Sequence, residues 1–175
     1  IAISYIIIPS VALGWLTSGL CALGVYCSVM VYADTQRSFW SFKWGSIRFF
    51  GTVAVLGASC WMLGYSSAPY AMSVLLIVSL LKLGLELLQL KSDGLSKSSR
   101  LMLGPLVPKT RTRFLFGVIG GVLIPSVLLF GGVGGEMLLS LGFLSWFLVL
   151  VGELFERTLF FQAVQAPRMP RGGVR

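Results

Sequence analysis

The chain contains 175 residues, of which 56% are hydrophobic and 11% are charged, and its mean hydropathy is +0.89. A water-soluble domain carries about 25% charged residues, so this composition excludes an ordinary soluble protein and indicates a bilayer as the solvent. The formal net charge of +8 does not indicate nucleic-acid binding, because the basic residues lie between apolar runs and form no separate basic domain.

Five apolar runs are long enough, or nearly so, to cross a bilayer, which takes about 20 residues of α-helix. Their ranges are Tyr5–Tyr32, Phe49–Gly64, Ala68–Leu90, Phe114–Phe130 and Met137–Phe161. The sequence therefore predicts an all-α, polytopic bundle of transmembrane helices over residues 1–163. Residues 164–175 are too rich in proline and glycine for a helix, and they are predicted to form an extended cytoplasmic tail.

Small residues recur every four positions in two of these runs. Gly14, Ser18 and Ala22 do so in the first run, and Gly117 and Gly121 form a GxxxG pattern in the fourth. Residues of this size let helix backbones approach closely in lipid, where shape rather than hydrophobicity drives packing. The pattern therefore favours a bundle of several closely packed helices.

The basic residues are distributed unevenly between the predicted connections. The connections YSSAP and GGVGGE contain neither lysine nor arginine. The other two connections and the tail hold twelve of the 14 basic residues, namely Arg37, Lys43, Arg48, Lys91, Lys97, Arg100, Lys109, Arg111, Arg113, Arg168, Arg171 and Arg175. The positive-inside rule predicts that these three segments face the cytoplasm and that Ile1 lies on the opposite side.

Aromatic residues are interleaved with basic ones in the connection after the first run, RSFWSFKWGSIRFF. This pattern is typical of the aromatic belt at the level of the lipid headgroups, and a docking surface for a partner subunit is the alternative interpretation. On that alternative, we expect residues of this connection and of the tail to dock a partner. They are Trp40 and Trp44 in the connection, and Pro167, Arg168, Met169 and Pro170 in the tail.

The third run carries polar residues at three- and four-residue spacing, which places them on one face of a Leu-rich helix. These residues are Ser79, Lys82, Glu86 and Gln89. Ionisable residues within a span are costly and are a functional hypothesis by default. Two interpretations are open: the side chains snorkel to the nearby interface, or they line a cavity that water or quinone can reach.

The fifth run ends with charged residues as well. Glu153 precedes Arg157 by one helical turn, which is the favoured order for an ion pair on one face, and the two are predicted to face the bundle interior. Glu156 is predicted to point to the headgroups. The pair is either a structural clamp between helices or part of a cofactor or substrate pocket, in which Arg157 donates to a carbonyl or Glu153 takes a proton.

The chain contains no histidine, and Cys21, Cys27 and Cys60 lie inside apolar runs without a CxxC motif. Histidine is the usual ligand of haem b, and cysteine thiolates hold iron–sulfur clusters. We therefore expect no haem, iron–sulfur cluster or zinc ion, and no other cofactor bound covalently or by metal ligation.

Two segments of the chain, VYADTQRSFWSFKWGSIRFFGT and GELFERTLFFQAVQAPRMP, resemble a known family, the membrane-anchor subunits of dimethyl sulfoxide reductase-type molybdenum enzymes (the DmsC-like family). The second segment is the more specific. It consists of Gly152-Glu153-Leu154, Arg157, Phe160-Phe161 and Ala166-Pro167-Arg168-Met169-Pro170. Together the two segments bracket nearly the whole chain.

The resemblance implies a haem-free helical bundle, usually of eight spans, of which this chain would be the C-terminal part. It implies an anchor that exchanges electrons between a membrane quinone or quinol and the clusters of a ferredoxin-like iron–sulfur subunit. That subunit connects to a molybdopterin catalytic subunit, and the anchor performs no chemistry on the final substrate. The expected location is the cytoplasmic membrane of a bacterium or archaeon.

The resemblance implies that the family's quinol-site residues, a histidine among them, lie in early helices that precede the part matched here, and Phe161 stands where some members have tyrosine. The candidates here for a quinone site or a proton path are therefore Glu153, Arg157, Lys82 and Glu86. Three other functions are open: an anchor of the NrfD/polysulfide-reductase type, a structural subunit that docks soluble partners without binding quinone, and a transporter fragment. Inverted repeats or broken helices would favour the transporter, and the sequence shows neither.

Overall fold

The structure of the chain, a computed structural model, describes residues 11–35, 40–65, 69–92, 102–131 and 136–163. Every long element in these ranges is helical, and five helical spans are long and apolar enough to cross a bilayer. The predicted all-α, multi-pass membrane architecture is confirmed. The predicted tail over residues 164–175, which includes Pro167, Arg168, Met169 and Pro170, lies outside the described residues.

The helices in chain order are α1 (Val11–Ala33), α2 (Phe42–Gly64), α3 (Pro69–Ser92), α4 (Val107–Val118), α5 (Ile124–Phe130) and α6 (Glu136–Gln162). A π-helical turn, Ile119–Leu123, joins α4 to α5, so these three pieces form the fourth span.

The second and fourth spans begin seven residues earlier than predicted, because each helix continues past charges that end the apolar run. Arg48 and Arg113 are buried residues within helices rather than exposed residues of a loop, which corrects the sequence-based assignment.

The chain divides into two compact units, Ile1–Val53 and Ala54–Arg175. In the first unit, the ring of Tyr32 lies 5.1 Å from that of Trp40 and 5.6 Å from that of Phe49. Lys43 lies 5.4 Å from the ring centre of Trp44, which is a cation–π distance. Trp40 and Trp44, both predicted to dock a partner, are half-buried in the described structure, and their docking role stays a prediction.

The second unit contains the main apolar core, to which α3, α5 and α6 contribute Ala71, Met72, Leu75, Ile124, Leu128 and Val149. Outside this core, large apolar side chains such as Leu81, Leu88 and Phe147 are exposed. In water this exposure would be unfavourable, but in a bilayer lipid tails solvate these side chains. The unit therefore has the surface expected of a membrane-embedded bundle.

The π-helical turn brings the fourth span against α6. A Cβ atom at Gly120 would lie 2.8 Å from Leu148 Cβ and 2.9 Å from the Ser145 carbonyl oxygen, so only glycine permits this approach. The Ile124 N–H donates to the Ile119 oxygen, five residues back, and this frees the Gly120 carbonyl. The Ser145 hydroxyl donates to that carbonyl at 2.6 Å, so a neighbouring helix satisfies the backbone group that the turn releases.

Candidate functional site: a buried charge cluster

Five charged side chains meet inside the second unit, between 3% and 6% exposed. We call them the charge cluster: Lys82 and Glu86 from α3, Arg113 from α4, and Glu153 and Glu156 from α6. Isolated charges at such depth are strongly disfavoured, so their presence requires mutual compensation. The cluster is therefore the site in the described structure at which a functional role is best argued.

The cluster lies at one level of the bundle because of where each residue stands on its helix. At 1.5 Å per residue, Lys82 is about 15 Å before the end of α3 and Arg113 is about 9 Å after the start of α4. Glu153 is about 14 Å before the end of α6 by the same measure. Since successive spans alternate in direction, these three helix termini lie on one side of the membrane, which we call the basic end. The charges thus occupy the half of the bundle nearer to that end.

Lys82 is the cation at the centre of the cluster. Its ammonium group donates hydrogen bonds to Oε2 of Glu153 and, at 2.7 Å, to Oε2 of Glu156. Oε1 of Glu86, one turn further along α3, lies 3.7 Å away. An ammonium group has three N–H donors, and three carboxylates surround this one. The bonds to Glu153 and Glu156 join α3 to α6.

Arg113 is the second cation, and it joins α4 to both neighbours. Its Nη2 donates to Oε1 of Glu86 at 2.6 Å, and it lies 3.5 Å from Glu153 Oε1 and 3.6 Å from Glu156 Oε2. The guanidinium group passes over Gly117, where an added Cβ would lie 2.9 Å from Nη1. Glycine at this position thus makes room for a charged side chain that reaches inward rather than toward the headgroups.

The structure brings together three of the four predicted site residues. Lys82, Glu86 and Glu153 are members of the cluster, and their burial opposes the interpretation in which the α3 side chains snorkel to the interface. Glu153 faces the interior as predicted, but its ion pairs are with Lys82 and Arg113 on other helices. Arg157, the fourth predicted residue, is half-buried and lies one turn nearer to the end of α6.

Two residues of the cluster correct the sequence-based interpretation. Glu156, predicted to point to the headgroups, is buried and bonded to Lys82. The prediction was wrong because it considered only the neighbouring residue Arg157, which lies on another face of α6. The face that carries Glu156 is turned to α3, which supplies Lys82 as its partner. Arg113 was assigned to a connection. The glycine four residues later was the one available signal that its side chain has space inside the bundle.

A small cavity of about 10 Å³ adjoins the cluster. It is lined by Val55, Ser79, Lys82, Leu83, Arg113, Gly117, Val149 and Glu153. Pockets that hold organic ligands typically measure about 300–1,000 Å³, so this cavity does not fit a quinone ring. Among the residues that the structure describes, no group of three or more histidine, cysteine, aspartate or glutamate side chains is arranged to hold a metal ion.

The chemistry available to the cluster is acid–base and electrostatic. The guanidinium of Arg113 supplies a fixed positive charge, and the three carboxylates are groups that can accept a proton. The carboxylates come from two different helices, so a change in their charge state would alter the attraction between α3, α4 and α6. The cluster can therefore hold the helices together and respond to charge that develops nearby.

The class of protein that the fold and this site define is an all-helical, multi-pass membrane protein with a buried ionic network. No family model, curated protein or solved structure matches the chain. The cluster and the two sequence segments that carry the resemblance are the features of the chain that bear on its function.

Proposed function

We propose that this chain is the quinone-interacting membrane anchor of a molybdopterin oxidoreductase complex. In this role it would pass electrons between a membrane quinone and a ferredoxin-like iron–sulfur subunit, which serves a molybdopterin catalytic subunit. The observation that carries the proposal is the place of Glu153, which stands in the segment GELFERTLFFQAVQAPRMP and enters a buried network with Lys82, 71 residues away. The segment most similar to the anchor family thus supplies a charge to the membrane interior.

The cluster is assigned a supporting role in this function. The adjoining cavity does not fit a quinone, so we assign no direct contact between the cluster and the quinone ring. The cluster's own carboxylates lie in the half of the bundle near the basic end, where the resemblance and the positive-inside rule place the soluble partners. We propose that the cluster fixes the relative positions of α3, α4 and α6, and that it sets the electrostatic potential beside the path of electrons and protons.

A second candidate function is favoured by one specific observation. The described ion pairs of Lys82 and Arg113 are directed inward to Glu86, Glu153 and Glu156, and the adjoining space is water-sized. Such an internally compensated network is also what a purely structural subunit needs, one that docks soluble partners and binds no quinone. The two functions differ in whether quinol-linked electron transfer depends on this chain.

The experiment that tests the proposal is purification of the native complex with the full-length anchor in lipid nanodiscs. We expect molybdenum, iron–sulfur clusters and a quinone to co-purify, and we expect the complex to oxidise or reduce a quinone analogue. Two activities are then compared in Lys82→Met, one with a quinol and one with an artificial soluble electron donor. The matched control is Leu81→Met, which changes an exposed neighbour on the same helix.

The expected result is a loss of at least tenfold in quinol-linked activity for Lys82→Met, with the soluble-donor activity retained in whatever complex assembles. Parallel loss of both activities together with loss of assembly would favour the structural subunit. If the wild-type complex lacks molybdenum, or neither binds nor turns over a quinone, the proposal is wrong.

A further inference from the structure

We propose that the cavity beside the charge cluster is a binding site for one ordered water molecule, held between the Ser79 hydroxyl and the charged side chains. The site is independent of the proposed function, because it rests on the walls of the cavity alone. Its ligand chemistry is that of a small neutral molecule with two donors and two acceptors. The site is defined by a hydroxyl without a partner among the described residues, by the size of the space and by the charges of its walls.

Ser79 is a buried residue, 3% exposed, whose hydroxyl has no hydrogen-bond partner among the residues that the structure describes. Several other helical hydroxyls in the described structure donate to a carbonyl of their own helix; Ser73 on the same helix, for example, donates to the Pro69 carbonyl at 2.9 Å. A buried hydroxyl without a partner is destabilising and is rare in proteins. Because Ser79 lines the cavity, a molecule inside it is the available partner.

Two glycines of the fourth span border this region: Gly117 lines the cavity, and Gly121 lies against Ser79, which lines it. A Cβ atom at Gly121 would lie 2.6 Å from the Ser79 hydroxyl oxygen, and one at Gly117 would lie 2.9 Å from Arg113 Nη1. Any larger residue at either position would press on a polar wall of the cavity. The GxxxG pattern therefore does more than bring helices together, since it also leaves a polar void at the edge of the cluster.

The size and the charges of the walls select water over an ion. A volume of about 10 Å³ is close to the minimum for one water molecule. The cavity is therefore too small for an anion larger than water. Lys82 and Arg113 both line the cavity, and their positive charges oppose a metal cation. The lining residues carry the groups that a water molecule needs. Ser79 has a hydroxyl and Glu153 a carboxylate that accepts, and Nε of Arg113 is a donor without a partner among the described residues.

The water would extend the polar region of the bundle. Ser79 stands three residues before Lys82, so it lies about 4.5 Å further from the basic end. A bound water would connect this hydroxyl to the ionic network across apolar surroundings, where Val55, Leu83 and Val149 form the rest of the wall. The cluster would then have one hydrated contact toward the centre of the bilayer.

The test is radiolytic hydroxyl footprinting with mass spectrometry on the full-length chain in lipid nanodiscs. Radiolysis of water bound inside a protein produces hydroxyl radicals, which oxidise the side chains next to it. Leu83 lines the cavity and is expected to be oxidised at least fivefold faster than Leu75, a buried leucine on the same helix that is not among the cavity-lining residues. Ser79→Val, which removes the hydroxyl and fills the space, is expected to bring the rate at Leu83 down to that at Leu75. Gly84→Ala is the control, because a Cβ there meets no atom within 4 Å, and it should leave the rate unchanged.

A high-resolution map of the wild-type chain in nanodiscs gives an independent readout that does not depend on how the variants fold. We expect a single density peak within about 3.2 Å of the Ser79 hydroxyl oxygen in the wild type. Equal oxidation of Leu83 and Leu75 in the wild type, or a map without this peak, would refute the water site. A peak that follows the identity of the salt in the buffer would also refute it, since that peak would be an ion.

Discussion

Replacement of Lys82 by methionine is the sharpest test of whether the charge cluster holds the bundle together. Methionine keeps the length and the apolar stem of the side chain but removes the ammonium group that bonds Glu153 and Glu156. These two carboxylates then face each other in a buried site with reduced compensation. Because Arg113 stays 3.5 Å from Glu153 and 3.6 Å from Glu156, part of the compensation survives.

The magnitude follows from the burial of the group that remains. Removal of one partner from a buried ion pair destabilises a protein by about 3–5 kcal/mol, because the other charge is left uncompensated. For a chain of this size, 1 kcal/mol corresponds to a shift of about 2–4 °C in Tm, so Lys82→Met is expected to lower the Tm by about 6–20 °C. The assay is thermal unfolding of the purified chain in nanodiscs, followed by tryptophan fluorescence.

Two further variants make this result specific to the ion pair. Leu81→Met changes an exposed, lipid-facing side chain and is expected to alter stability by less than about 0.5 kcal/mol. The double variant Lys82→Met/Glu153→Gln removes both partners, and its loss of stability should be smaller than the sum of the losses in the two single variants by about 0.5–3 kcal/mol, which is the usual size of a coupling between residues in contact. A Tm for Lys82→Met within 2 °C of that for Leu81→Met would refute the reasoning, given the roughly 2–4 °C expected per kcal/mol.

Gly120→Ala is expected to destabilise the chain by about 1–3 kcal/mol, because its Cβ would meet α6 at 2.8 Å, whereas Gly84→Ala should not destabilise it. Equal effects in thermal unfolding would show that the π-helical turn and α6 are not in close contact. Ser145→Ala is expected to cost about 0.6–1.7 kcal/mol, because the Gly120 carbonyl loses its 2.6 Å donor, and an unchanged Tm would mean that another donor takes over. For the topology, cysteines placed at residues 67 and 173 of a cysteine-free chain should be labelled from opposite sides of the membrane, with residue 173 accessible from the cytoplasm. Labelling of residue 67 from the cytoplasm alone would overturn the positive-inside assignment.

The spans could be predicted from the sequence because their signal is local and strong. An apolar run of about 20 residues is sufficient evidence for a membrane helix, and all five predicted runs became helices. The starts of α2 and α4 could not be predicted from hydropathy, since Arg48 and Arg113 interrupt the runs but are buried in the folded chain. Whether a charged residue ends a span depends on its ion-pair partners on other helices, and a hydropathy profile does not record these partners.

The candidate site was predictable in part for the same reason. The spacing of Lys82 and Glu86 on one helix face is a local pattern, and it predicted two of the five cluster residues. The partners of Lys82 on α6 are 71 and 74 positions away, and such contacts leave no trace in local spacing. Glu153 was assigned to Arg157 because the four-residue rule applies within a helix, whereas the bundle supplied Lys82 and Arg113 from other helices.

The distribution of the cluster over three helices constrains how this protein can be made. Arg113 can form its ion pair with Glu86 as soon as α3 and α4 are side by side. Lys82 can pair with Glu153 and Glu156 only later, because these residues leave the ribosome more than seventy residues after it. Until α6 arrives, a lysine stands in the bilayer with Glu86 of its own helix as its carboxylate partner within the cluster. The earlier spans therefore insert while the ion pairs of Lys82 with α6 are still missing. During biogenesis, α6 is the segment that completes the charge cluster and with it the membrane core.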